Sequence, residues 1–458
     1  MKRLRLTAFI MILCLLPGLS GGAALAEAVS APELSSAECA IIGDMGTGRI
    51  LYNMNAYSRH APASLTKIMT LLLAVEAIEL GKVSENDMVT AGSDCKTAFE
   101  DDSSSVGIHM GETMSLRDLL YCAALASANE ACNIIASHVS GSIERFVAAM
   151  NTRADELGCS GTHFTNTHGM PDAEHYSTAR DLFVISVEAM RHPLFASIVG
   201  TAEYTTAPTN ASPARLLKNS NALLNKDKDS VYSGKYAYDG AVGIKTGRTE
   251  AAGYCLVGAV QRDGVNVISV VLGAKGDAAS KSFDSFGDTV RLFDWCFDNY
   301  SYRTLVEKGT EITKQKLNIG GTQGEISLVC ESAVNALAPK SLDPAALERT
   351  VSLNSETLTR APEEGEVLGT VSYTDSSDGT VYGTVKLVAS GTADVVIEDK
   401  PAENTPELGS DQKLAIVIVC ALFVLTVLIF ALLIARKQRA RRQRRAAERA
   451  AARRGEKR

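Results

Sequence analysis

Ser64 and Lys67 stand three residues apart at the start of an apolar run. At that spacing a hydroxyl and an amine share one face of a helix, and they could serve as nucleophile and base. A lysine amine stays protonated to about pH 10.4 and is ordinarily a poor base. Desolvation and a second cation nearby lower its pKa, and Lys245 is a candidate for that cation. The front of a helix also favours negative charge developing at Ser64. Ser127-Ala128-Asn129 adds a second hydroxyl, able to relay a proton to a leaving amine, and an amide able to bond a substrate amide. Lys245, Thr246, Arg248 and Thr249 offer donors to a terminal carboxylate. They follow a strand-like run, where an edge strand can pair with an extended peptide and Gly247 permits close approach. Nucleophile, base, relay and anchor are the parts that acyl transfer at an amide carbonyl requires.

Each motif alone is weak. A single S-x-x-K is most often a capped helix with a surface lysine, and Ser127 and Asn129 alone read best as helix caps. Their order and separation carry the argument. Other sites are excluded by the same residues. Ile244, not glycine, precedes Lys245, so no P-loop is present. The one G-x-S-x-G, Gly18 to Gly22, lies in an N-terminal leader, which removes the α/β-hydrolase reading. No Cys/His pair has metal-ligand spacing, and neither metal nor cofactor is expected. His168 and His175 read as structural or cleft-lining residues.

The elements that must position these groups follow from the pattern. Glu38 to Asp44 and Arg49 to Tyr52 read as a hairpin around Met45-Gly46-Thr47-Gly48. A helix is expected from Ser64, with Ile68, Leu71, Leu72 and Val75 as its apolar stripe and Gly81 at its end. Further helices are expected over 115–126, where Ser115-x-x-Asp118 resembles a capping box, over 130–139, and over 143–157, closed by Gly158. Ser127-Ala128-Asn129 then falls in a loop between helices. Strands are expected over 240–246, 254–260 and 265–273, the last two joined at Arg262-Asp263-Gly264, and a helix over 282–300 closes the unit. The sum is an α/β sandwich, a sheet with helices on its faces. Beyond Tyr300, short alternating runs split by Gly, Ser and Asp read as a small all-β domain over 301–398.

The 458 residues carry a net charge of -7, unevenly spread. Arg436 to Arg458 holds twelve Lys/Arg against two Glu, and Lys2, Arg3 and Arg5 add three charges, which leaves about -20 on the body between. An acidic body argues against nucleic acid as partner. Lys2 to Leu19 followed by Ala24-Leu25-Ala26 reads as a signal peptide over 1–26. Leu414 to Ala435 is 22 residues without a charge, roughly 33 Å as a helix, enough to span a bilayer. The basic residues that follow place the 436–458 tail in the cytoplasm by the positive-inside rule, with a linker over 399–413. The catalytic unit, 27–300, is thus expected outside a bacterial cell membrane, tethered through a single pass. Eight of the ten cysteines lie outside these membrane segments and read as buried free thiols rather than a disulfide framework.

Pro62 to Thr70, Asn166-x-His168-Gly169, His175 to Asp181 and Gly243 to Tyr254 resemble the serine D-Ala-D-Ala carboxypeptidases, low-molecular-mass penicillin-binding proteins. The resemblance covers roughly 36–388. It implies the β-lactamase/transpeptidase-like fold, an antiparallel sheet with helices on both faces, and a β-rich stalk. It also implies that Ser64 attacks the penultimate D-Ala carbonyl of a peptidoglycan stem peptide, terminal D-Ala leaves, and water hydrolyses the acyl-enzyme; β-lactams would acylate the same serine. The backbone N–H groups of Ser64 and Arg248 would form the oxyanion hole, and Arg180 matches an arginine near the family's cleft. Ala128 replaces the usual glycine of the second motif, and a full span replaces the usual amphipathic anchor. Alternatives are a β-lactamase, an endopeptidase, or a penicillin-sensing receptor without turnover.

Overall fold

The computed structural model describes residues 29–96, 103–226 and 234–395. The expected signal peptide, linker, membrane span and basic tail lie outside the described residues. The central sheet is β1 (Cys39–Asp44), β2 (Ile50–Met54), β3 (Ala241–Thr249), β4 (Gly253–Arg262) and β5 (Val265–Ala274). Their order is β2-β1-β5-β4-β3, every neighbouring pair antiparallel. The β4–β5 turn puts Asp263 and Gly264 at φ +54° and +76°, the two positive angles a tight hairpin turn needs.

Strand alternation divides the interior into two cores. In β5, Ile268, Val270 and Leu272 face one core, and Val265, Val267 and Val271 the other. The first core is filled by helices α1 (Lys67–Glu79), α2 (Leu116–Leu125), α3 (Asn129–Ser140), α4 (Ile143–Glu156), α5 (Ala179–Met190) and α6 (Pro193–Val199). The second is covered by α7 (Asp284–Asn299), through Phe286, Leu292, Phe293 and Cys296. The expected sandwich is therefore present, with helices on both faces.

α1 runs through the middle of the helical layer. It is buried on nearly all sides rather than along one stripe, as an apolar helix without a polar face must be. Its polar Thr70 is satisfied by the carbonyl of Thr167 at 2.6 Å. The helix expected from Ser64 opens as a 3₁₀ turn over Ala63–Thr66 and becomes α-helical at Lys67. α7 begins two residues later than the pattern suggests, because Ser282–Phe283 pairs with Gly276–Asp277. α5 and α6 had no expected counterpart. Ser115 caps α2 by accepting from the backbone of Asp118 at 3.0 Å, as its spacing suggests.

From Tyr300 the chain enters an all-β unit. Tyr300–Val306 pairs with Val334–Pro339. A six-stranded sheet is built from Glu348–Leu353, Val367–Thr374, Val381–Val395, Thr322–Cys330, Glu311–Ile319 and Thr357–Leu358, in that spatial order. The units touch where Arg49 donates to the Leu337 carbonyl and lies 4.9 Å over the ring of Tyr382. Cys39, Cys95, Cys122, Cys132, Cys159, Cys255, Cys296 and Cys330 are all buried free thiols. Burial pushes the Cys122, Cys159, Cys255 and Cys296 thiols up to about 12.

Candidate active site

The three motifs meet at one cleft. Ser64 sits in the 3₁₀ turn ahead of α1, and Lys67 is the first residue of that helix. Lys67 Nζ lies 2.9 Å from Ser64 Oγ, 2.7 Å from Asn129 Oδ1 and 2.8 Å from the His168 carbonyl oxygen. The last two are obligate acceptors and each takes one N–H. The third direction points at Ser64. An ammonium donates there, whereas a neutral amine turns its lone pair to the serine O–H. Lys67 is fully buried, and desolvation brings its pKa down to about 8, against smaller opposing effects of Cys132 and Glu130. At pH 7 about one-tenth of the molecules would hold the neutral amine.

Lys245, on β3, is likewise fully buried, and burial together with the Lys67 charge holds its pKa well below the usual lysine value. Its Nζ donates to the Thr246 carbonyl at 3.0 Å. β3 is one of the two edge strands of the sheet. Gly247 brings that strand against the nucleophile's segment: a Cβ there would lie 3.1 Å from the Pro62 oxygen and 3.3 Å from Ala63 Cβ. Thr246 Oγ1 shares a 2.7 Å hydrogen bond with Ser220 Oγ.

Ser127 occupies the break between α2 and α3, as expected, in a left-handed conformation at φ +59°. Such a conformation costs about 1–3 kcal/mol for a residue other than glycine. Its buried Oγ has no hydrogen-bond partner among the described residues. Asn129 opens α3, its backbone N–H on the Ser104 carbonyl. Glu130 accepts from Ser105 Oγ and the Val106 N–H, pinning the 103–108 segment beside the cleft.

Two buried histidines stand beside the site. Asn166 Oδ1 accepts from the N–H groups of His168 and Gly169, closing a turn that aims the His168 carbonyl at Lys67. Gly169 has φ +91°, and a Cβ on it would fall 1.8 Å from the Ala63 oxygen. His175 Nδ1 accepts from the Thr165 N–H, so Nε2 carries the proton and donates to Thr66 Oγ1 at 2.8 Å. Thr66 in turn donates to the Ala63 carbonyl. Burial lowers His175 to about 4 and His168 to about 3. The Asn-x-His-Gly segment was visible in the sequence, but its role lies in a backbone carbonyl that no residue type announces. Ser220 was missed, having no motif of its own.

Two expected substrate ligands also hold contacts within the fold. Arg180 belongs to the first turn of α5, and Nη1 of its guanidinium donates to the Gly158 carbonyl and Asp181 Oδ1, at 2.6 and 3.0 Å. It neutralises a carboxylate that Gly161 and Thr162 also bind. Thr249 Oγ1 accepts from the Ala252 N–H and shapes the β3–β4 turn. The Arg248 side chain is exposed, over the ring of Tyr254 at 5.3 Å. Away from the cleft, Glu76, Glu188 and His192 bring ligand atoms within 4.8 Å of one another. Arg153 already bridges both carboxylates there, at 2.7 and 2.8 Å, so an ion-pair network accounts for the grouping.

A buried amine aimed at a serine, a second buried serine hydroxyl and a lysine-bearing edge strand define a serine acyl-transfer enzyme. The D-alanyl-D-alanine carboxypeptidase family matches residues 25–276, and the chain belongs to it. The penicillin-binding protein 5 C-terminal domain matches residues 300–394. The chain is 30% identical to D-alanyl-D-alanine carboxypeptidase DacF of Bacillus subtilis, over 85% of this chain and 94% of that protein. It is 31% identical to DacC of Escherichia coli, over 76% and 82%. Penicillin-binding protein 5 of Haemophilus influenzae superposes with a TM-score of 0.62 at 28% identity, covering 80% of this chain and 99% of that one.

Proposed function

We propose that this protein is a serine D-alanyl-D-alanine carboxypeptidase that removes the terminal D-Ala from peptidoglycan stem peptides. The observation that carries the reading is the Lys67 amine, held by two acceptors so that its remaining direction faces Ser64. Neutral Lys67 takes the Ser64 proton as Oγ attacks the penultimate D-Ala carbonyl. The oxyanion is received by the backbone N–H groups of Ser64 and Arg248. The proton taken up by Lys67 passes through Ser127 to the departing D-Ala amine, and Lys245 with Thr246 anchors its carboxylate. Water then hydrolyses the acyl-serine ester. Asn129 both orients Lys67 and presents its amide N–H₂ to the substrate. A β-lactam carbonyl presented in this cleft acylates Ser64 in the same way.

The signal peptide, span and basic tail read from the sequence support a location outside the bacterial cell membrane, tethered by the C-terminus. Protease added to intact cells should then leave a C-terminal tag intact, and loss of the tag would reverse the orientation. The activity is tested with a peptide ending in D-Ala-D-Ala. Free D-Ala should appear with the native protein and not with Ser64→Ala. Penicillin binding without D-Ala release would leave a receptor, whereas rapid turnover of penicillin would indicate a β-lactamase.

A further inference from the structure

The second motif is tied to a stretch of chain with no helix or strand of its own. Residues 103–108 run irregularly past the start of α3. Among the described residues, the one main-chain to main-chain hydrogen bond of this stretch reaches the site itself: the Asn129 N–H donates to the Ser104 carbonyl at 2.9 Å. Two charged side chains supply partners that a ladder would otherwise provide. Glu130 Oε1 accepts from Ser105 Oγ at 2.7 Å, from the Val106 N–H at 2.8 Å and from the Ile108 N–H at 3.4 Å. Arg215 donates through Nε to the Val106 carbonyl at 3.0 Å and through Nη2 to the Gly107 carbonyl at 3.2 Å. Glu112, 1% exposed, fixes that guanidinium with two bonds of 2.7 and 3.0 Å. Asn129 is thus seated at both ends, its N–H on this loop and its Oδ1 on the Lys67 amine at 2.7 Å.

The loop does not account for all of Glu130. Its three bonds fall on one oxygen, and a glutamine carbonyl would accept the same three. Oε2 is buried with no hydrogen-bond partner among the described residues, on a side chain whose residue is only 2% exposed. Burying a carboxylate is costly unless cations offset it. Two cations feel this one: it favours the protonated forms of Arg215 and of Lys67. Arg215 is a permanent cation, whereas Lys67 gains its proton during the reaction.

On the carboxypeptidase reading, on which this inference rests, that proton leaves Ser64 Oγ for Lys67 Nζ as the serine attacks. We propose that Glu130 is a positioning residue for this step: its Oε1 holds the loop that seats Asn129, and its charge stabilises the ammonium that Lys67 becomes on taking the Ser64 proton.

The test follows acylation of the full-length protein by a fluorescent penicillin from pH 6 to 10.5, in the native protein, Glu130→Gln and Glu130→Ala. The other groups facing Lys67 are Cys132 on α3, His168 in the neighbouring turn and Lys245 on β3. Burial places the Cys132 thiol at about 11 and His168 at about 3, both outside the informative range. Lys245 is lowered by its own burial and then by the Lys67 charge. Glu130→Gln should keep the loop but bring the levelling point of the rate about one pH unit below the native one. Its plateau should be about threefold lower, because a weaker base accepts the proton less readily. Glu130→Ala should show the same displacement and a plateau roughly tenfold lower again, because Asn129 loses its seat. A native levelling point in Glu130→Gln overturns the proposal, and so does a Glu130→Ala plateau equal to that of Glu130→Gln, whatever either variant does to the melting temperature. Should Glu130→Ala not fold, the levelling point of Glu130→Gln alone decides. Absence of acylation in the native protein overturns the carboxypeptidase reading as well, whereas native acylation with an unmoved levelling point overturns this proposal alone.

Discussion

Asn129→Asp replaces one hydrogen-bond acceptor of Lys67 by a carboxylate of nearly the same shape. Oδ1 is 2.7 Å from Nζ, and neither residue is more than 2% exposed. An opposite charge at such range moves a pKa by about 1–3 units. Lys67 would rise from about 8 to between roughly 9 and 11. The neutral amine at pH 7 would fall from about one-tenth of the molecules to about one-hundredth for one unit, and to about one in ten thousand for three. If that amine takes the Ser64 proton, acylation falls in the same proportion, about 10- to 1,000-fold. The assay is the second-order rate constant for acylation by a fluorescent penicillin, followed from pH 6 to 10.5. The native rate should climb about tenfold per pH unit and level off near pH 8. In the variant the levelling point should move to higher pH, with the rate recovering there. A loss equal at every pH, or an unmoved midpoint, would show that Asn129 only binds substrate and that Lys67 is not the base in this step.

Two further outcomes follow from the histidine turn. The unfolded chain protonates His168 and His175 near pH 6.5, the folded chain only near 3 and 4, since burial lowers both. The unfolded state thus binds more protons in this window. Stability present above pH 6.5 is lost as pH falls toward 4, with a slope of up to about 2.7 kcal/mol per pH unit from the two groups. His175→Gln should remove about half of that slope in urea titrations at pH 7, 6 and 5, and a variant with the native slope would contradict the assignment. Gly169→Ala forces a Cβ to within 1.8 Å of the Ala63 oxygen at φ +91°. It should destabilise the fold by about 1–3 kcal/mol and slow penicillin acylation more than tenfold by displacing Ser64; unchanged acylation would disprove the coupling.

What could be read in the sequence depended on which atoms do the work. Where a side chain acts through its own chemistry at a fixed local spacing, as at Ser64 and Lys67, three residues of separation sufficed, and the 2.9 Å contact follows from the turn that joins them. β3 was legible as a strand, but not its pairing on one side only, which depends on the order of all five strands. Contacts set by distant segments were hidden. Ser220 reaches Thr246 across 26 residues, and the His168 oxygen reaches Lys67 across 101. Arg180 shows the converse: a motif fixes a residue's neighbours in the chain but not the partner its side chain chooses. Here that partner is Asp181, a carboxylate one residue away and already buried. The base is therefore specified in two parts. Lys67 supplies the amine, and the turn that Gly169 makes possible supplies the carbonyl that orients it, so the catalytic geometry is encoded as much in a glycine's missing side chain as in the lysine.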